Sequence, residues 1–78
     1  MKSLYTTEYK KFLECIVAVR KESGFTQQQL AELLGKPQSY VSKYERGERR
    51  LDVVEFLALC KALSVSPMSI IERLEFAR

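Results

Sequence analysis

Five cations fall within positions 36–50 of this 78-residue chain: Lys36, Lys43, Arg46, Arg49 and Arg50. Glu45 and Glu48 are the acids among them, so this stretch carries an excess of three, equal to the formal +3 of the whole chain. A basic cluster of this kind attracts a polyanion. Gln38, Ser39 and Ser42 lie between the cations and supply neutral hydrogen-bonding groups. Other chemistries are poorly provided for. The chain has no His, and so no ordinary proton shuttle near neutral pH and no imidazole metal ligand. Its two cysteines, Cys15 and Cys60, cannot make a four-ligand zinc site. Neither a nucleophile–base arrangement nor a phosphate-cradling Gly loop is visible. The expectation is a binding protein that is not an enzyme and uses no metal or cofactor.

The elements that must position this cluster read as helical nearly throughout, because no strict two-residue alternation persists. Gly24, Gly35–Pro37, Gly47 and Ser64–Pro67 break the chain into five segments. The first runs from about Thr6 to Lys21, with Thr6 or Thr7 as candidate cap and a stripe of Tyr9, Phe12, Leu13, Ile16 and Val19 or Arg20. The second starts at Thr26. Thr26 and Gln29 have capping-box spacing, and Phe25 and Leu30 suit a hydrophobic staple. Its expected buried face is Leu30, Ala31, Leu33 and Leu34, and Gly35 ends it. The third starts near Pro37, points Val41 and Tyr44 inward, and closes at Gly47. The fourth follows Asp52, which has capping-box spacing with Glu55, and stripes Val53, Phe56, Leu59, Cys60 and Leu63. The fifth opens on Ser66 and Pro67 and carries Met68, Ile70, Ile71 and Leu74.

At 9.1 kDa and 46% apolar residues, the chain is expected to form one domain over residues 1–78. A core this small rarely supplies more than about 3–5 kcal/mol, which raises self-association as an expectation. The longest apolar runs, Cys15–Val19 and Phe56–Cys60, fall far short of the roughly 20 residues that cross a bilayer. We therefore expect no membrane segment, a cytoplasmic location, and both cysteines as thiols packed like small hydrophobes. At this length, no small-molecule effector domain is expected either.

Segments two and three are two short helices joined by a Gly-containing turn, the arrangement of a helix-turn-helix over about residues 26–47. Counted from Gln27, the close-approach position is Ala31, the turn position is Gly35, and the apolar positions are Leu30, Leu34, Val41 and Tyr44. With the stretches Thr26–Ala31, Ser39–Gly47 and Lys61–Pro67, the sequence resembles the phage Cro and lambda-repressor type of helix-turn-helix regulator, the xenobiotic-response-element (XRE) family. The resemblance covers roughly residues 10–74. It implies an all-α, five-helix bundle that binds operator DNA as a dimer, with a recognition helix at about 37–46.

Carried over position by position, the resemblance implies base-reading roles for Gln38, Ser39 and Lys43, with Ser42 as a neighbour. Gln suits adenine edges and Lys suits guanine. It implies phosphate contacts for Gln27, at a helix N-terminus, and for Tyr40, Arg46, Arg49 and Arg50. Arg20 and Glu45 match a structural ion pair that orients the recognition helix. Tyr44 is expected in the core.

Val54, Leu57, Ile71, Leu74 and Phe76 exceed what one small core needs. They form either a two-fold dimer interface or extra core that draws in Leu4 and Tyr5. Helices four and five, about 52–76, are accordingly assigned to core and dimer contacts. The expected function is a sequence-specific, dimeric repressor or autoregulator of a near-palindromic operator. The alternative is a protein-interaction module, or an antitoxin or controller subunit whose main partner is another protein.

Overall fold

The computed structural model describes residues 6–75. Five α-helices and no strand occur among them: α1 (Thr7–Glu22), α2 (Gln27–Leu34), α3 (Gln38–Glu45), α4 (Val53–Leu63) and α5 (Pro67–Glu75). The starts of α1, α2 and α4 have local causes. The Thr6 hydroxyl accepts from the Tyr9 amide at 3.1 Å and caps α1. Thr26 and Gln29 satisfy each other's orphan amides in a full capping box, and Asp52 and Glu55 do the same for α4. Pro37 precedes α3 without a side-chain cap. At the end of α2, Gly35 takes the left-handed conformation at φ 67°, which costs little without a Cβ. Ser64 does the same job after α4 at φ 59°, where a side chain is strained.

The helices bury one cluster. Tyr9, Leu13, Ile16 and Val19 of α1 meet Leu30 and Ala31 of α2, Val41 and Tyr44 of α3, Phe56, Leu59, Cys60 and Leu63 of α4, and Ile70 of α5. Complete burial of Ala31 lets α2 and α3 approach closely. Phe12 links the α1 and α4 sides through edge-on contact with Phe56 at 5.4 Å.

Two expected core residues lie outside this cluster. Leu33 is 55% exposed, because Leu30, Ala31 and Leu34 share an arc of about 100° on α2 and Leu33 falls beyond it. Val53 is 69% exposed: it has the correct angular position, but it is the first residue of α4, and packing begins one turn later at Phe56. Val54, Leu57 and Ile71 are also exposed, which removes them from the core, while Leu74 is half-buried. Phe76, Leu4 and Tyr5 lie outside the described residues. Cys60 is buried, and burial pushes its thiol pKa up; Cys15 is half-buried against the core. No single helix among the described residues is long and apolar enough to cross a membrane.

Candidate nucleic-acid interface

The geometry of α3 follows from its two buried residues. Val41 and Tyr44 anchor one side, so Gln38, Ser39 and Lys43 stand exposed on the other, with Ser42 half-buried beside them. Spacings of three and four residues put this set on one helical surface. The Ser42 hydroxyl bonds back to the Ser39 carbonyl at 3.4 Å.

A chain of hydrogen bonds fixes α3 to the rest of the bundle. Arg20 Nε donates to Glu45 Oε2 at 2.8 Å and Arg20 Nη2 donates to Glu45 Oε1 at 3.1 Å, a two-point pair with side chains 9% and 6% exposed. Arg20 Nη1 also donates to the Phe25 carbonyl at 2.8 Å, which ties the end of α1 to the entry of α2. Gln27 Nε2 donates to Glu45 Oε1 at 2.8 Å, and Gln38 Nε2 donates to Gln27 Oε1 at 2.9 Å. Arg20, Glu45, Gln27 and Gln38 therefore form one continuous polar path from the core to the exposed surface. Gln28 bonds Glu32 on its own helix at 3.1 Å, and Gln29 serves the capping box.

The segment after α3 holds its arginines in three different ways. Arg46 pairs with Glu48 at 2.9 Å, both well exposed. Their mutual hydrogen bond raises the Arg46 pKa and lowers that of Glu48. Arg49 Nη2 meets Glu55 Oε2 at 2.7 Å, while its Nη1 donates to Glu55 Oε1 at 3.1 Å and to the Arg50 carbonyl at 3.0 Å. These bonds, Arg49's first, bring the Glu55 carboxyl down to about 2. Arg50 lies over the Tyr9 ring at 4.4 Å, and the Tyr9 hydroxyl accepts from the Leu51 amide at 3.2 Å.

Tyr40 sits where these features converge. The Arg49 guanidinium lies 4.8 Å and the Lys36 ammonium 5.3 Å from its ring centre, within cation–π range. Its ring also packs edge-on against Tyr44 at 5.6 Å. Burial and the nearby Glu55 raise the Tyr40 pKa despite the opposing pull of Arg49.

Sequence reasoning placed these side chains on a helix-turn-helix but missed two partners. Glu55 reads as a capping residue only, and Tyr9 as a stripe residue only. Neither link is local: Glu55 reaches back six positions across a turn, and Tyr9 reaches forward by 42. The cations of residues 36–50 were the available signal. Among the described residues no group of His, Cys, Asp and Glu could hold a metal ion.

Residues 16–70, more than half of the chain, match the helix-turn-helix protein family. The chain is 36% identical over 53 residues to an uncharacterized HTH-type transcriptional regulator of Sinorhizobium fredii, covering 68% of this chain and 69% of that protein. It is similar to the solved structure of an XRE-family-like protein from Pseudomonas syringae pv. tomato, with 39% identity and a TM-score of 0.87 over 97% of this chain and 93% of the other. A point mutant of the restriction-modification controller protein C.Esp1396I gives 30% identity and 0.82, over 88% and 92% of the two chains. The restriction-modification controller protein C.AhdI from Aeromonas hydrophila gives 37% and 0.70, over 77% and 87%.

Proposed function

The chain belongs to the XRE-type helix-turn-helix family of transcriptional regulators, which are not enzymes, and from that premise we propose that it is a sequence-specific, dimeric DNA-binding repressor or autoregulator acting in the cytoplasm. The observation that carries the reading is the exposed polar surface of α3, held to the buried Arg20–Glu45 pair through Gln27 and Gln38. Gln38, Ser39 and Lys43, with Ser42 beside them, read base edges in the major groove of double-stranded DNA. Gln27, Tyr40, Arg46 and Arg50 meet phosphates. Arg46 does so by exchanging the exposed Glu48 carboxylate for a phosphate oxygen. Arg49 stands apart, because Glu55 already meets its charge.

Dimer formation rests on the apolar groups left exposed on α4 and α5: Val54 at 71%, Leu57 at 48% and Ile71 at 43%, with Leu74 beside them. A two-fold pair would set two α3 helices about 34 Å apart, one turn of DNA, on a near-palindromic site.

The test is selection of bound duplexes from a random library, with stoichiometry measured on the winner. The proposal expects one palindromic consensus, two chains per site, and affinity that falls steeply with salt. The same exposed apolar groups favour a second reading, a module whose main partner is another protein. Selection that recovers no consensus, together with a shift assay showing no preference for any duplex over competitor DNA, would decide for that reading.

A further inference from the structure

The arginines after α3 are not equivalent, and the difference assigns one of them a separate task. The Arg46–Glu48 pair is open on both sides, with side chains 55% and 54% exposed, and spans two residues of one turn. The Arg49–Glu55 pair joins different elements, with side chains 40% and 26% exposed. Three hydrogen bonds, two to Glu55 and one to the Arg50 carbonyl, already occupy the Arg49 guanidinium, which has five N–H donors in all. It also lies 4.8 Å from the centre of the Tyr40 ring, and that ring rests edge-on against the fully buried Tyr44. Glu55 is in turn fixed by the α4 capping box, where its carboxylate accepts from the Asp52 amide at 3.0 Å. The path from the start of α4 through Glu55 and Arg49 to Tyr40 is therefore unbroken.

We propose that Arg49 is a positioning residue and not a phosphate contact: held by Glu55, its guanidinium holds the Tyr40 ring against the core and so sets the pose of α3 on DNA. This rests on the DNA-binding reading above. The sign of one substitution separates the two roles. Glu55→Gln removes a negative charge near the DNA, so if Arg49 were a phosphate contact, freeing it would tighten binding. If Arg49 positions Tyr40, the same change loosens its grip and weakens binding, although the protein becomes more positive. Gln at this capping position keeps an acceptor for the Asp52 amide, so α4 retains its start.

The experiment measures full-chain affinity against salt for the duplex that the wild-type chain recovers from a random library. Its variants are Arg49→Gln, Arg49→Lys, Glu55→Gln and, for contrast, Arg46→Gln. The proposal expects Arg49→Gln and Arg49→Lys to weaken binding alike, by about 5- to 30-fold, since Lys keeps the charge but not the two-point fork. Their salt slopes stay at the wild-type value, whereas Arg46→Gln lowers the slope by about 0.9 per bound chain, one phosphate contact in each half-site. Glu55→Gln weakens binding too. Ring-proton shifts of Tyr40, read by NMR without DNA, move in all three Arg49 and Glu55 variants. Rescue by Lys, a slope lowered in Arg49→Gln, tighter binding by Glu55→Gln, or unmoved Tyr40 shifts would each overturn the proposal. A wild-type chain that recovers no duplex removes the DNA-binding reading and this one with it. A wild-type chain that binds while Arg49 behaves as a lost charge removes this one alone.

Discussion

The side-chain carbonyl of Gln27 accepts a 2.9 Å hydrogen bond from Nε2 of Gln38. The two residues are 11 positions apart, at the starts of α2 and α3, and this bond joins the two first turns. The other end of the Gln27 amide donates to Glu45, which Arg20 holds from below. The exposed polar surface of α3 is thus tied through Gln27 to a buried ion pair.

Glu45→Ala tests that dependence. It leaves the Arg20 guanidinium buried with the Phe25 carbonyl as its remaining hydrogen-bond partner among the described residues, and frees the Gln27 amide. Breaking one side of a buried pair costs about 3–5 kcal/mol, a large share of the stability of a small domain. Gln27→Ala removes one bond to the Glu45 carboxylate and one neutral bond to Gln38 but leaves the ion pair in place, and should cost less, about 1.5–3 kcal/mol. Urea unfolding of both variants checks the order. A Glu45→Ala loss no larger than that of Gln27→Ala would mean the pair is not the anchor.

Tyr44 supplies an opposite case. Its ring is buried in the core, its hydroxyl is also buried, and among the described residues no hydrogen-bond partner reaches the oxygen. Burial raises its pKa, and Glu45 adds to the effect. An unmet buried hydroxyl costs about 1–3 kcal/mol of desolvation, so Tyr44→Phe keeps the packing and removes the penalty. The expected outcome is a rise in the thermal midpoint with the α3 surface unchanged. A fall comparable to that of a lost hydrogen bond would show that the oxygen has a partner in solution.

What could be read in advance follows the range of the interactions. Both capping boxes, at Thr26–Gln29 and Asp52–Glu55, lie within four residues and form as their spacing requires. The left-handed Gly35 is equally local. The inward direction of Val41 and Tyr44 follows from the helical period, and with it the outward direction of Gln38, Ser39 and Lys43. Leu33 and Val53 read as core because period alone says which side of a helix is apolar, and not how wide or how long the packed strip is. The Arg49–Glu55 bond was out of reach for a related reason. Its partners sit on either side of a turn whose path depends on where α1 and α4 pack.

Acid should weaken the fold through that bond. The Glu55 carboxyl stands at about 2 in the folded chain against 4.5 ordinarily, chiefly because Arg49 donates to its ionised form. A lowered folded value means that the stabilisation is fully present above 4.5 and is lost as pH falls from there toward about 2. Glu48 shifts in the same direction, but its pair with Arg46 is exposed and contributes little. Urea midpoints of wild type and Glu55→Gln should therefore differ at neutral pH and converge as the pH approaches 2. A carboxyl that NMR finds titrating at its ordinary value would remove the basis for this convergence.

Lys43 carries the sharpest prediction about sequence reading. It is exposed on α3, one turn beyond Ser39 and on the same surface, with the buried Val41 and Tyr44 behind it. In the proposed complex its ammonium would meet guanine O6 or N7 in the major groove, and such a contact discriminates against a wrong base by about 1–3 kcal/mol. Lys43→Ala should therefore weaken binding to the selected duplex by about that amount and relax preference at one base pair of each half-site. A phosphate contact would behave differently. Its loss would weaken cognate and random duplexes equally and leave every base preference intact, because phosphates carry no sequence. Repeating the selection with the Lys43→Ala chain distinguishes the two: one relaxed position in the consensus supports base reading, and an unchanged consensus at lower affinity places Lys43 on the backbone.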